Sequence, residues 1–69
     1  DANYNLGLVY AQQNKYPQAI QSWKETVEVN SDYLDAYVQL INFFSYKERD
    51  TTKANFYINE FVNHGGKIQ

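Results

Sequence analysis

The stretch Ala2-Asn3-Tyr4-Asn5-Leu6-Gly7-Leu8-Val9-Tyr10 has a counterpart in Ala36-Tyr37-Val38-Gln39-Leu40-Ile41-Asn42-Phe43-Phe44. Ala2 matches Ala36, Leu6 matches Leu40 and Tyr10 matches Phe44, each at a step of 34 residues. A second stretch, Ala19-Ile20-x-x-Trp23-x-x-Thr26-Val27, returns as Ala54-x-x-x-Ile58-x-x-Phe61-Val62 at a step of 35. The spacing thus places one extra residue in the middle loop of the second copy. An internal repeat of this length implies a stacked array of helix pairs rather than a globular enzyme fold. Such an array offers a surface, and a surface points to binding.

Working outward, the periodicity predicts four helices. The first runs from about Ala2 to Gln13, with Ala2, Leu6, Val9 and Tyr10 on one face. Asn14-Lys15 interrupts it, and Pro17 suits the first position of a new helix, where its missing N–H costs nothing. The second helix extends to about Val29, with Ala19, Ile20, Trp23, Thr26 and Val27 inward. Asn30-Ser31-Asp32 favours a turn and a helix cap. The third helix runs from about Tyr33 to Tyr46, with Ala36, Tyr37, Leu40, Phe43 and Phe44 on its inner side. Lys47 to Asp50 is wholly charged and reads as a solvated loop. Thr51 or Thr52 is the expected cap of the fourth helix, which carries Ala54, Tyr57, Ile58, Phe61 and Val62. Gly65-Gly66 closes it, since glycine accepts the left-handed conformation that ends helices. The short loops make consecutive helices antiparallel.

Composition narrows the function. With 69 residues the chain makes one small domain, with repeat one at about 1–33, repeat two at about 34–66 and a short tail at 67–69. It has no cysteine and a single histidine, so neither disulfides nor a protein-built metal site is expected. Six basic and eight acidic residues are interspersed at a net charge of −2, which argues against a nucleic-acid partner. No apolar run approaches the roughly 20 residues of a membrane span. No serine–histidine–aspartate order, paired-carboxylate cluster or phosphate loop suggests catalysis, and no cofactor is expected. Opening mid-pattern at Asp1-Ala2, the chain reads as a piece of a longer protein, so compartment is left open. The aromatic residues (seven Tyr, four Phe, one Trp) suit a shared helical core.

The pattern resembles the tetratricopeptide repeat, with its signature W-x-x-L-G-x-x-Y, then A-x-x-x-F, then P. The first copy supplies Leu6, Gly7, Tyr10, Ala19 and Trp23, but has Asn3 for the tryptophan and Ser31 for the proline. The second supplies Tyr37, Leu40, Phe44, Ala54 and Ile58, with Ile41 for the glycine and Gly66 near the proline position. The resemblance implies an all-α fold of two antiparallel hairpins stacked as a short right-handed solenoid. Glycine inside a helix costs about 1 kcal/mol, and the absent side chain at Gly7 is expected to make room for Trp23.

The resemblance also implies a concave groove lined by the first helix of each pair, where a peptide or protein segment binds. The groove positions would be Tyr4, Asn5, Leu8, Ala11 and Gln12, then Val38, Gln39, Asn42, Ser45 and Tyr46. Their amides can donate to and accept from an extended backbone. The branch of the family that clamps chaperone tails has Asn where this chain has Leu8, so that use is not expected. Phe56, Tyr57, Phe61 and Val62 are expected to leave an uncapped apolar face on the fourth helix, through which the chain could form a homo-oligomer. A structural role, spacing or oligomerising other parts of a repeat protein, is the alternative. Lys24 and Glu28 are spaced for an exposed pair, and His64 sits as a helix-end cap.

Overall fold

A computed structural model describes residues 2–67. The expected tail is therefore described only at Lys67. Helices α1 (Ala2–Gln12), α2 (Tyr16–Val29), α3 (Leu34–Asn42) and α4 (Thr51–Asn63) follow one another, and a π-helical turn, Phe43–Lys47, extends α3. No strand forms among the described residues. Close packing joins α1 to α2, α2 to α3 and α3 to α4. Two helical hairpins thus stack through α2 and α3, as the repeat implies.

The helix ends follow from backbone chemistry. At the end of α1, Asn14 takes a left-handed φ of 61°, and the Lys15 amide donates to the Tyr10 carbonyl at 2.8 Å. At the end of α4, Gly65 takes φ 103° while the amides of Gly65 and Gly66 donate to Val62 and Phe61. Both are Schellman closures, which satisfy carbonyls that the helix leaves open. Pro17 falls in the first turn of α2, at its second residue. The cap of α4 is Asp50 rather than either threonine; its carboxylate accepts from the Lys53 amide at 3.1 Å. Aspartate accepts there without competing with its own donor, which a threonine hydroxyl has.

The extra residue of the second copy is not in a loop. Arg49, like Asn14, closes its helix in the left-handed region, at φ 54°. Between them the step is 35, whereas Tyr10 to Phe44 is 34. The insertion therefore lies after Phe44, where Phe43–Lys47 widens into a π turn. The Asp50 amide accordingly reaches back to Phe44, one residue further than Lys15 reaches to Tyr10. Lys47, expected in the charged loop, belongs to that turn.

The core sits between the hairpins. Ala19, Ile20 and Trp23 of α2 form one buried cluster with Ala36 and Leu40 of α3, Phe44 and Ala54. Thr26 satisfies its buried hydroxyl by donating to the Ser22 carbonyl at 2.9 Å. The inner stripes of α2 and α3 follow the sequence reading, but that of α1 does so only at Tyr10. Ala2, Leu6 and Val9 are exposed; Gly7 is buried, and Tyr4, Leu8, Tyr10 and Ala11 pack against the core. Leu40 is fully buried because α2 precedes and covers it, whereas Leu6, its counterpart, remains 43 % exposed. A repeated residue inherits its chemistry from the sequence but its burial from its neighbour.

Candidate interaction site

Alternate helices do not pack closely, so a trough runs between α1 and α3 and another between α2 and α4. On the α1–α3 side, Gln39 Nε2 donates to the Tyr4 hydroxyl at 3.3 Å, and the Tyr4 ring tilts against Tyr33 with centroids 5.2 Å apart. Further along, a pocket of about 210 Å³ opens between Ala11, Trp23, Gln39, Asn42, Phe43 and Tyr46. Its far wall includes Tyr16, whose ring meets Phe43 at 5.4 Å and carries the Lys47 ammonium above it.

Of the groove positions, the pocket brings together Ala11, Gln39, Asn42 and Tyr46. Asn5, Gln12 and Val38 are exposed, and Tyr4, Leu8 and Ser45 are half-buried; all lie outside its lining. Tyr4, Leu8 and Ala11 also pack against the core, so they serve the fold as well as the surface. The sequence reading missed Tyr16, Trp23, Phe43 and Lys47. Trp23 and Phe43 were assigned wholly to the core, and only the meeting of α2 with α3 shows that their edges also form a wall.

The four residues expected to form a self-association face have different surroundings. Tyr57 stacks on Phe44 at 5.7 Å, and Phe61 is half-buried against Gly66. Phe56 and Val62 are exposed, but at six residues apart they flank the buried stripe of α4 on opposite sides.

The α2–α4 trough gathers the ionisable groups. His64 caps α4, and its Nδ1 lies 3.0 Å from Asp32 Oδ1, tying the end of α4 to the turn before α3. Its ring stacks on Tyr37, whose hydroxyl donates to the Ser31 carbonyl at 2.9 Å. Burial raises the Tyr37 phenol above its ordinary value, with the charges of Glu60 and Asp32 and the Tyr57 phenol adding to it. Burial, then Glu28, does the same to Tyr57. The expected Lys24–Glu28 ion pair does not form. Among the described residues no group of three or more acidic, histidine or cysteine side chains could hold a metal ion. No described helix is long and apolar enough to cross a membrane.

Residues 1–33 match the tetratricopeptide repeat family. No curated protein and no solved structure matches the chain.

Proposed function

We propose that this chain, whose residues 1–33 match the tetratricopeptide repeat family, is a non-catalytic interaction module that receives an extended protein or peptide segment along the α1–α3 trough. Repeats of this family are generally protein-interaction modules. The observation that carries the reading is the pocket walled by Trp23, Phe43 and Tyr46 and edged by the amides of Gln39 and Asn42. An apolar recess beside convergent donors and acceptors suits one side chain of a peptide and the backbone next to it. Its size, about 210 Å³, is below that of drug-sized ligand sites, which favours a single aliphatic or aromatic anchor.

The test is selection of binders from a random linear-peptide library, followed by titration of selected peptides into the labelled protein. Amide shifts should concentrate on residues 39–47, and Asn42→Ala with Tyr46→Ala should weaken binding about tenfold. Both residues are exposed, so the fold should survive the changes. Binders that leave residues 39–47 unmoved, or that ignore the double substitution, would overturn the reading.

A structural role is supported by a different observation. Leu6 and Val9 expose on α1 the kind of face that Leu40 helps α3 to bury beneath α2. In this reading the face receives another helical hairpin, and the repeats space or assemble larger units. Leu6→Glu with Val9→Glu separates the two roles: loss of assembly by sedimentation with peptide binding intact supports the structural one.

A further inference from the structure

The α2–α4 trough is on the opposite side from the proposed peptide groove and is the larger recess, at about 380 Å³. Its aromatic surface comes from Tyr37 and Tyr57, with Phe56 at the rim, 56 % exposed. Phe56 and Tyr57 meet edge to face at 5.1 Å, so the rim ring is held upright beside the floor. A carboxylate enters from each side, Glu28 from α2 and Glu60 from α4. Glu28 is in no ion pair among the described residues, and Glu60 has only His64 Nε2 at 4.0 Å. Asp32, at the end of the trough, is occupied by His64.

We propose that this cleft is a binding site for an arginine side chain presented by a protein partner, its guanidinium held between Glu28 and Glu60 and its stem lying along Phe56. Three features carry the assignment. Two carboxylates on facing helices complement one delocalised cation, and guanidinium can donate to both at once. The exposed ring of Phe56 attracts a cation and also accepts the flat guanidinium plane. The carboxylates also reach the phenols of the cleft: after burial, Glu28 raises Tyr57, and Glu60 and Asp32 raise Tyr37. Lys24 also lines the cleft, one turn before Glu28. Since it pairs with neither carboxylate, it lowers the affinity for a cation without filling the site.

The test uses N-acetyl-arginine amide as probe, followed through backbone amide shifts of the labelled chain. The neutral isostere N-acetyl-citrulline amide serves as control. Arginine should shift residues 24–28 and 56–64, and citrulline should bind at least fivefold more weakly. Glu28→Gln and Glu60→Gln should each weaken the arginine probe three- to tenfold, and Lys24→Gln should tighten it about twofold. Glu48→Gln, at an acidic residue away from the cleft, should change nothing. Equal binding of citrulline would overturn the proposal, as would indifference to both glutamate substitutions. Shifts spread over Asp35 and Glu48 as strongly as over the cleft would also overturn it, since they would mark general attraction to an acidic surface. If Glu60→Gln disturbs the fold through His64, Glu28→Gln remains a sufficient arm, because Glu28 is exposed and in no ion pair.

Discussion

Gly7 and Trp23 together set the geometry of the first hairpin. A Cβ on Gly7 would lie 2.6 Å from Trp23 Cδ1 and 2.9 Å from Cε2, inside the space of the indole. The helix therefore accepts glycine, at about 1 kcal/mol of lost propensity, so that the ring can lie on its backbone. The arrangement has a second cost. Trp23 is 3 % exposed, and its Nε1 has no hydrogen-bond partner among the described residues. An orphaned buried donor costs about 1–3 kcal/mol, offset here by the area the ring buries. Trp23→Ala should accordingly destabilise the chain by about 3–5 kcal/mol, while Trp23→Phe, which removes the orphan donor with much less volume, should lose under about 2. Urea melts of the two variants decide this; a Trp23→Phe loss as large as that of Trp23→Ala would refute it, because both remove the N–H and only the cavity differs. Gly7→Ala should cost about 1–3 kcal/mol in the Trp23 background despite its better helix propensity. Paired with Trp23→Leu it should cost far less, and strict additivity in that double-mutant cycle would refute the steric account.

The elements themselves show that a helix boundary is set by competing local bonds. Asp50, not Thr51 or Thr52, bonds the first turn of α4. Asp50→Ala should therefore lower stability by about 1 kcal/mol, and Thr51→Ala by under about 0.5. Arg49 closes the π turn at φ 54°, a conformation that costs a side-chain-bearing residue about 1 kcal/mol. Arg49→Gly should raise the urea midpoint, a gain of about 0.5 kcal/mol after the greater chain entropy of glycine is counted. Four helices, their order and the inner stripes of α2 and α3 were legible because periodicity and punctuation are local signals. The α1 stripe was not. Tyr10 packs against the core as expected, but Ala2, Leu6 and Val9 also have the spacing of a core face, and so do Tyr4, Gly7, Leu8 and Ala11; only the position of α2 selects between them. The extra residue was countable, but whether it widens a helix or lengthens a loop depends on which carbonyl captures the Asp50 amide. Of the pocket proposed as a groove, Ala11, Gln39, Asn42 and Tyr46 were among the positions expected from the sequence. Its walls at Trp23 and Phe43 were not, because a side chain can be core on one edge and surface on the other. The α2–α4 cleft left no mark in the sequence, since Glu28 and Glu60 become neighbours only when the hairpins stack.

At the scale of the whole molecule, the contacts between hairpins combine apolar burial with a set of phenols that must remain neutral. Tyr37 ties α3 to the preceding turn through Ser31, and Tyr57 ties α4 to the π turn through Phe44. Burial first, then neighbouring carboxylates, raises both phenols above their ordinary value near 10. Below about pH 10 both are protonated in the folded and the unfolded chain, so their contribution to stability is constant. Above it the unfolded chain releases these protons first and binds fewer than the folded one, so stability falls as pH rises through the folded values. A domain this small has little stability in reserve, and the loss should show as a fall in the urea midpoint that begins near pH 10 and continues as pH rises. Tyr57→Phe keeps the ring that stacks on Phe44 and deletes the titrating group, so it should flatten that fall. Tyr37→Phe should flatten it too, but from a lower start, because the Ser31 carbonyl loses a donor worth about 1 kcal/mol. An alkaline profile equally steep in the Tyr37→Phe, Tyr57→Phe double variant would place the titration on the exposed tyrosines and remove the phenols from the contact between hairpins.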